Sequence, residues 1–280
     1  MSQAVHPLER SGTASAIPKL SVNNLEIIFE NPATGLRTEA VKGVNLDIRQ
    51  GEFVSIVGLS GCGKTTFLNA IAGLVKPSAG SIKLDGKSVE GPGPDRTVVF
   101  QKPSLLPWRN VLSNVIYGLE LRGVRKDEAR ERAAKYIKMV HLNGFEKHLP
   151  HQLSGGMQQR VNITRALVCE PEVLLLDEPF AALDAITRES MQNELLSLWE
   201  NTGKTVLMVT HQIDEAVLLS DRVIVFSARP ASILEEISIR LPRPRTPELR
   251  DNPRFDYLAK RIWELIHSTA EKKVNPEYEI

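Results

Sequence analysis

The eight residues from 58 to 65, GLSGCGKT, constrain the fold of this chain more than any other segment. Two glycines with a lysine and a threonine directly after the second match the pattern of a phosphate-binding loop. The preceding run, EFVSIVG, is short, apolar and rich in β-branched residues, whereas the following run, TTFLNAIAGL, is typical of a helix. A strand, a glycine loop and a helix in this order predict an α/β fold with a buried parallel sheet.

The chemistry of such a loop follows from its backbone. Glycines let the chain bend closely around an anion, and successive N–H groups at a helix N-terminus point at the phosphates. Lys64 would place its charge at the β and γ oxygens, and the Thr65 hydroxyl would hold Mg²⁺. A chance glycine-rich turn is the alternative, and the flanking strand and helix argue against it. The predicted phosphate-binding residues are Gly58, Leu59, Ser60, Gly61, Cys62, Gly63, Lys64, Thr65 and Thr66.

An acidic pair ends a second apolar run, VLLLDE, at residues 173–178. A carboxylate at the end of a neighbouring strand can bind Mg²⁺, usually through water, which predicts Asp177 as a metal ligand. Glu178 lies one residue beyond the strand, where a carboxylate can orient a water and accept its proton. An acidic turn after a strand is a weak signal alone, but it gains weight beside a phosphate-binding loop.

The rest of the pattern divides the chain into regions. Residues 20–57 read as strands with a loop at 30–40, a hairpin turns at Asp85–Gly86, and residues from about 104 to 168 read as mainly helical. After residue 170, strands and helices alternate, which favours a parallel sheet. Prolines interrupt the pattern at 229–247. A final amphipathic helix carries a stripe that we expect to pack on its own domain, formed by Phe255, Leu258, Ile262, Leu265 and Ile266.

Composition narrows the class of protein. The formal net charge of +1 provides no general attraction to nucleic acid or to anionic lipid. The two cysteines, Cys62 and Cys169, fit neither a disulfide framework nor a metal site, which favours a reducing compartment. No apolar run approaches the roughly 20 residues of a membrane span. Residues 1–18 read as a loose polar tail. For Cys62, a small loop filler is favoured over a reactive thiol.

Residues 153–160, LSGGMQQR, resemble the signature motif of the ATP-binding subunits of ABC transporters, and the resemblance extends from about residue 20 to 225. It implies that Gln101 is the glutamine that contacts Mg²⁺ and that Asp184 belongs to the loop after the acidic pair. It further implies that His211 steadies the γ-phosphate and that Phe29 stacks on adenine. With Glu178, the catalytic set implied is Glu178, His211 and Gln101.

The resemblance implies a P-loop NTPase fold of the ABC type. Such a fold has a RecA-like, mainly parallel core, an N-terminal antiparallel β-subdomain and an inserted helical subdomain. The ATPase domain would cover residues 19–250, followed by a helix and tail at 251–280. Two copies would close head to tail around two ATP molecules, so that Ser154, Gly155 and Gly156 of one copy would contact the γ-phosphate of the ATP bound to the other.

Three features resemble importers of the nitrate, sulfonate and taurine group: GPGPDR at 91–96, LLPW at 105–108, and the methionine of LSGGMQQR. This resemblance implies integral membrane permease subunits, indirectly a periplasmic or extracytoplasmic solute-binding protein, and a peripheral place on the cytoplasmic face of the cell membrane. Two alternatives remain open: an ABC ATPase acting on nucleic acid or a ribosome, and a nucleotide-binding regulatory subunit without turnover. The single cassette counts against the first, and the set of Lys64, Asp177, Glu178 and His211 counts against the second.

Overall fold

A computed structural model describes residues 17–274, with side chains of the last helix described up to residue 268. The core is a six-stranded sheet in which the strands follow the spatial order β10-β9-β3-β8-β7-β6. All neighbours in it run parallel except β10, which pairs antiparallel with β9. The strands of this sheet are β3 (Phe53–Val57), β6 (Arg96–Val99), β7 (Val173–Asp177), β8 (Thr205–Val209), β9 (Arg222–Phe226) and β10 (Ile233–Ser238).

Strands β3, β7 and β8 are buried along their whole length, which explains their unbroken apolar sequences. Because helices cover both faces of such a sheet, neither face needs a polar alternation. The predicted parallel core is therefore confirmed, and the predicted phosphate-binding loop leaves the carboxyl end of β3, a central strand. Ligand sites in open parallel sheets form at this edge.

The N-terminal strands form a separate four-stranded antiparallel sheet in the order β2-β1-β4-β5. Its strands are β1 (Leu20–Glu30), β2 (Arg37–Ile48), β4 (Ala79–Leu84) and β5 (Lys87–Ser88). The predicted loop at 30–40 was too long, because Glu30 pairs with Arg37 and Phe29 pairs with Thr38 in the ladder. Polar residues at the exposed end of a hairpin can extend its ladder. Because these residues do not alternate with apolar ones, the sequence pattern did not predict that they belong to the strands.

The helices follow the predicted order. They are α1 (Lys64–Ile71), α2 (Val111–Val115), α3 (Tyr117–Leu121), α4 (Lys126–Met139), α5 (Gly155–Leu167), α6 (Ala185–Thr202), α7 (Ile213–Leu219) and α8 (Pro253–Val274). Short 3-10 helices cover Pro150–Gln152 and Pro247–Asp251. Among residues 17–274, no helix combines the length and apolar character that crossing a membrane requires.

Helices α2 to α5 enclose their own apolar core, to which α4 contributes Ala133, Tyr136 and Ile137. The mainly helical region predicted at about 104–168 is thus present as a packed unit between β6 and β7. Its limits as a subdomain, like those of the ATPase domain at 19–250, stay predictions. Of the predicted tail at 1–18, residues 1–16 lie outside the described part of the chain, as do residues 275–280.

The C-terminal part corrects one prediction and confirms another. The proline-rich stretch 229–247 contains a strand, β10, which the sequence reading missed. Pro230 and Pro242 flank this strand without interrupting it, and an edge strand tolerates nearby proline. The apolar stripe of α8 packs into the main core, as expected, through Phe255, Leu258 and Ile262. Residues of α7 belong to the same cluster, so α8 closes the core over α7.

Candidate active site

The loop from residue 58 to 65 joins β3 to α1 at the carboxyl edge of the core sheet. Gly61 and Gly63 have positive φ angles of 71° and 128°, a region that favours glycine. A Cβ atom on Gly63 would lie 2.5 Å from the backbone oxygen of Ala40 and 3.0 Å from Cβ of Ala231. The packing against these two neighbours therefore requires glycine at 63. Residues 58–66 form the predicted phosphate-binding loop, which we call the cradle.

Lys64 and Thr65 open helix α1 directly after the loop. The Nζ atom of Lys64 donates hydrogen bonds to the backbone oxygens of Gly58 and Leu59, both at 2.9 Å. Lys64 is only 5% exposed. Its ammonium group is thus folded over the loop, where it satisfies two carbonyl oxygens and has a third donor to offer. An arriving phosphate would compete with these carbonyls for the charge.

Asp177 ends β7 next to the start of α1. The Oγ1 atom of Thr65 donates to Oδ1 of Asp177 at 3.0 Å, and Asp177 is 5% exposed. Burial raises the pKa of the Asp177 carboxyl, although the Thr65 hydrogen bond and the Lys64 charge oppose the shift. One hydroxyl and one carboxylate side by side are oxygen donors of the kind that Mg²⁺ prefers. Two of the three predicted metal ligands, Thr65 and Asp177, therefore lie together.

Because the Asp177 carboxylate is desolvated, its charge destabilises the folded protein at neutral pH. Asp177→Asn retains an acceptor for Thr65 but removes the charge, so we expect the melting temperature of the nucleotide-free protein to rise. The rise is about 2–4 °C for each kcal/mol of desolvation that is relieved. The gain is largest at neutral pH and shrinks as acidification toward the raised pKa neutralises Asp177 in the parent.

Scanning calorimetry gives the melting temperature of Asp177→Asn without nucleotide and again with ATP and Mg²⁺. The same variant is expected to lose the extra stability that ATP and Mg²⁺ give the parent, because an amide is a poorer ligand for the cation. Asp47→Asn, which removes an exposed carboxylate from β2, is the control and should change neither value. A lower melting temperature for Asp177→Asn without nucleotide contradicts the prediction.

Sheet register brings Gln101, Glu178 and His211 together. Val99 pairs with Leu176 and Asp177 pairs with Val209, so the chain leaves three parallel strands at the same level. Oε2 of Glu178 accepts a hydrogen bond from Nε2 of Gln101 at 3.0 Å. Nδ1 of His211 lies 3.1 Å from the same oxygen. The three residues predicted as catalytic from separate parts of the sequence thus form one contact cluster.

Glu178 adopts a strained backbone conformation. Its φ angle is 46°, which non-glycine residues seldom adopt, and its N–H donates to the backbone oxygen of Val209 at 2.8 Å. Such strain persists only where surrounding contacts fix it, and it is found preferentially at functional sites. The conformation turns the chain sharply after Asp177, so that Asp177 and Glu178 have different partners.

The remaining predicted residues lie apart from this cluster. Phe29 is the penultimate residue of β1 and is 47% exposed, so its ring is accessible. Ser154 caps α5, where its Oγ atom accepts from the N–H of Met157 at 3.3 Å. Asp184 caps α6 by accepting from the N–H of Thr187 at 3.0 Å, which lowers the pKa of its carboxyl. Capping explains Asp184 and Ser154 structurally, and their nucleotide contacts stay predictions, as does that of Phe29.

The signature residues present an exposed helix end. Ser154 and Gly155 are exposed and Gly156 is partly buried at the first turn of α5. The hydrogen bonds of Ser154 are with Met157 and Gln158 of its own helix. Free N–H groups at such an end attract anions. These contacts leave the end of α5 available to a second molecule.

The sequence reading missed one residue that contacts the phosphate-binding loop. Nη2 of Arg229, from the turn between β9 and β10, donates to the backbone oxygen of Gly61 at 2.8 Å. Neighbouring Ala231 exchanges two backbone hydrogen bonds with Ala40 and Lys42 at 2.9 Å. No sequence pattern marks Arg229, because the contact joins residues 168 positions apart. Cys62 is buried in the loop, in keeping with the favoured role of a filler.

Comparison with known proteins agrees with this geometry. The family model described as "ABC transporter" matches residues 41–181. An uncharacterised ABC transporter ATP-binding protein of Methanocaldococcus jannaschii is 57% identical over 227 residues, which are 81% of this chain and 84% of that protein. A taurine import ATP-binding protein of Escherichia coli is 47% identical over 234 residues, which are 80% of this chain and 92% of that protein.

Solved structures agree as well. An ATP-binding cassette solved as a dimer in a post-hydrolysis state with ADP and Pi has a TM-score of 0.71 and 36% identity. The match covers 80% of this chain and 100% of that chain. The sequence resemblance and the P-loop NTPase fold that it implied are confirmed. This chain belongs to the ABC transporter family, among its ATP-binding proteins.

Proposed function

We propose that this chain hydrolyses ATP to ADP and phosphate as the energy-coupling subunit of an importer. The observation that supports this most strongly is the shared contact of Gln101 and His211 with one oxygen of Glu178, next to the Thr65–Asp177 pair. A carboxylate fixed by two neighbours beside a phosphate cradle is suited to orient an attacking water. The regulatory alternative without turnover does not explain this arrangement.

Each residue has a role in this proposal. The N–H groups of residues 58–66 and the Lys64 ammonium bind the β- and γ-phosphates of ATP. Thr65 and Asp177, with Gln101, hold Mg²⁺, which supplies charge neutralisation at the phosphate oxygens. Glu178 orients the water and accepts its proton, and His211 steadies the γ-phosphate. Phe29 stacks on adenine.

The active unit is a homodimer in this proposal. The exposed end of α5 would complete the site of a second copy with Ser154, Gly155 and Gly156, and Asp184 would lie near the shared interface. The dimeric assembly of the related cassette with ADP and Pi supports this arrangement. Closure around ATP and opening after hydrolysis would drive permease subunits at the cytoplasmic face of the cell membrane.

The proposed solute is taurine or a related small anion, such as another sulfonate or nitrate. Taurine import ATP-binding proteins of several bacteria are 47–52% identical to this chain, which supports the importer over an ATPase that acts on nucleic acid. A solute-binding protein outside the membrane would select the solute. The solute itself would not contact this chain.

Complementation between two inactive variants tests the homodimer. Ser154→Arg blocks the signature and Lys64→Ala disables the cradle, so each variant alone should hydrolyse ATP very slowly. A mixed dimer has one site built from the intact cradle of one copy and the intact signature of the other. Random mixing restores about one site in four, so steady-state ATPase assays should show activity well above both separate variants.

A mixture of Lys64→Ala with Glu178→Gln is the matched control. Both changes affect the cradle side of a site, so no intact site can form in any dimer of this mixture and activity should stay low. If the Ser154→Arg mixture is no more active than the mean of its two components, the head-to-tail assignment is wrong. Recovery in both mixtures would also contradict it.

A further inference from the structure

A chain of buried and partly buried hydrogen bonds runs from the C-terminal segment to Gln212, the residue that follows His211. Nη2 of Arg250 donates to Oε1 of Gln192 at 3.3 Å, and Nε2 of Gln192 donates to Oε1 of Glu215 at 3.2 Å. Oγ1 of Thr210 donates to Oε2 of Glu215 at 2.7 Å and accepts from the N–H of Gln212 at 3.0 Å. Five residues, from three helices and the loop between β8 and α7, thus form one path.

The middle of this path is deeply buried. Gln192 is 1% exposed, Thr210 is 1% exposed and Glu215 is 3% exposed. Burial raises the pKa of the Glu215 carboxyl, while the bonds from Thr210 and Gln192 and the charge of Arg188 oppose the shift. A buried carboxylate is costly where an apolar side chain would pack as well. Both oxygens of Glu215 are hydrogen-bonded, and a buried carboxylate bonded in this way can fix one local arrangement.

The direction of the bonds shows what is fixed. Thr210 has a single hydroxyl proton, and it points at Glu215, so the oxygen lone pairs face the N–H of Gln212. That N–H belongs to the peptide bond joining His211 to Gln212. Glu215 thus holds the hydroxyl group that accepts from the peptide plane next to His211.

A second contact holds the same loop from the other side. Arg188 of α6 donates through Nη1 to the side-chain oxygen of Gln212 at 3.5 Å, and through Nη2 to the backbone oxygen of Leu183 at 2.8 Å. Its Nε atom donates to the backbone oxygen of Phe180 at 3.4 Å. Arg188 thereby ties the loop that follows Glu178 to the loop that contains His211.

We propose that Glu215 is a positioning residue for His211, and that Arg250 connects the C-terminal segment to it through Gln192. The proposal rests on the role of His211 in hydrolysis given under "Proposed function". The C-terminal segment then does more than pack against the core, because its Arg250 helps to position His211. Removing the network should slow the chemical step and leave ATP binding intact.

Glu215→Ala in the full chain tests the positioning role. We expect kcat for ATP hydrolysis to fall about tenfold, with the Kd for ATP within about twofold of the parent. A second measurement follows the proton NMR resonance of the His211 ring, identified by its loss in His211→Ala. That resonance should shift in Glu215→Ala. Asp214→Asn removes the neighbouring exposed carboxylate of the same helix turn and should alter neither kcat nor the resonance.

Glu215→Gln separates the two halves of the path and serves if Glu215→Ala does not fold. The amide oxygen of the new glutamine can still accept from Thr210, but its NH₂ group then faces Gln192. The Gln192 amide must flip to accept from this group, and its own NH₂ then points at Arg250. Two donors then meet, so the link to the C-terminal segment is lost. Glu215→Gln should therefore match Arg250→Met, with a kcat reduced about two- to threefold, and the two changes should not add.

A double-variant cycle distinguishes failure of this inference from failure of the proposed function. In a His211→Ala background, Glu215→Ala should cause no further loss of kcat, because its partner is already absent. An equal loss in both backgrounds, an unshifted His211 resonance, or a parallel loss of ATP affinity would overturn the positioning role. A parental kcat for His211→Ala alone would instead overturn the proposed role of His211.

Discussion

Replacing Glu178 by glutamine is expected to lower the rate of ATP hydrolysis by about a hundredfold or more, while ATP still binds. Glutamine can keep the contact with Gln101 or with His211 but cannot accept a proton from the attacking water. The residues that we assign to the phosphates and the cation are unchanged, so affinity should persist. Because hydrolysis is the step that reopens the dimer in this account, ATP should also hold two copies of the variant together.

Two measurements check this prediction. A steady-state assay of released phosphate gives the rate, and size-exclusion chromatography with ATP shows whether a dimer accumulates. Glu170→Gln is the control, since Glu170 also has a positive φ angle, of 48°, but lies outside the cluster. It should hydrolyse ATP like the parent. A parental rate for Glu178→Gln shows that another group activates the water.

Lys64→Ala is expected to raise the Kd for ATP by about a hundredfold or more, which corresponds to about 2.8 kcal/mol of binding free energy. Two losses combine. The charge-assisted bonds to phosphate disappear, and the backbone oxygens of Gly58 and Leu59 lose the donor that now satisfies them. The second loss loosens the cradle even before nucleotide arrives.

Titration calorimetry with ATP and Mg²⁺ measures the affinity. Lys76→Ala removes an exposed lysine shortly after α1 and should bind ATP like the parent. The melting temperature of Lys64→Ala without nucleotide should not exceed that of the parent, because its loop carbonyls are less well satisfied. An unchanged Kd would show that Lys64 does not contact the phosphates.

The core and the cluster around Glu178 could be predicted from sequence because local patterns determine them. Strands β3, β7 and β8 are short apolar runs that end in a glycine loop, an acidic pair and a threonine–histidine pair. Parallel register then brings the ends of these strands to one edge. The glycine loop and the acidic pair were therefore enough to predict that Lys64, Asp177 and Glu178 lie near one another, whereas His211 was implied by the resemblance to ABC ATPases.

The misses depend on contacts between distant parts of the chain. Strand β10 forms because β9 offers it an edge, and prolines on either side obscured its six residues. Arg229 contacts Gly61 across 168 positions, and Arg250 reaches Gln192 across 58. Arginine is usually exposed, so its sequence environment does not reveal a long-range partner. The buried position of Glu215 is equally invisible in the sequence, where its neighbours resemble the polar start of any helix.

The contacts of Lys64 with its own loop also lay beyond sequence reasoning. A phosphate-binding lysine is expected to face its ligand, whereas here it satisfies two carbonyl oxygens of its own loop. This alternative partner is available only because the loop curls over the first turn of α1. The third donor of the ammonium group stays available to a phosphate oxygen while the other two hold the loop carbonyls.

The shared ATP site between two copies is tested most directly by a structure of Glu178→Gln solved with ATP and Mg²⁺. We expect a closed dimer in which Oγ of Ser154 of the partner subunit lies about 3 Å from a γ-phosphate oxygen of the ATP bound to Lys64. Two ATP molecules should be enclosed in this way. An ATP that binds the cradle with no copy of Ser154 within about 8 Å, well beyond a hydrogen bond or a single bridging water, would contradict it.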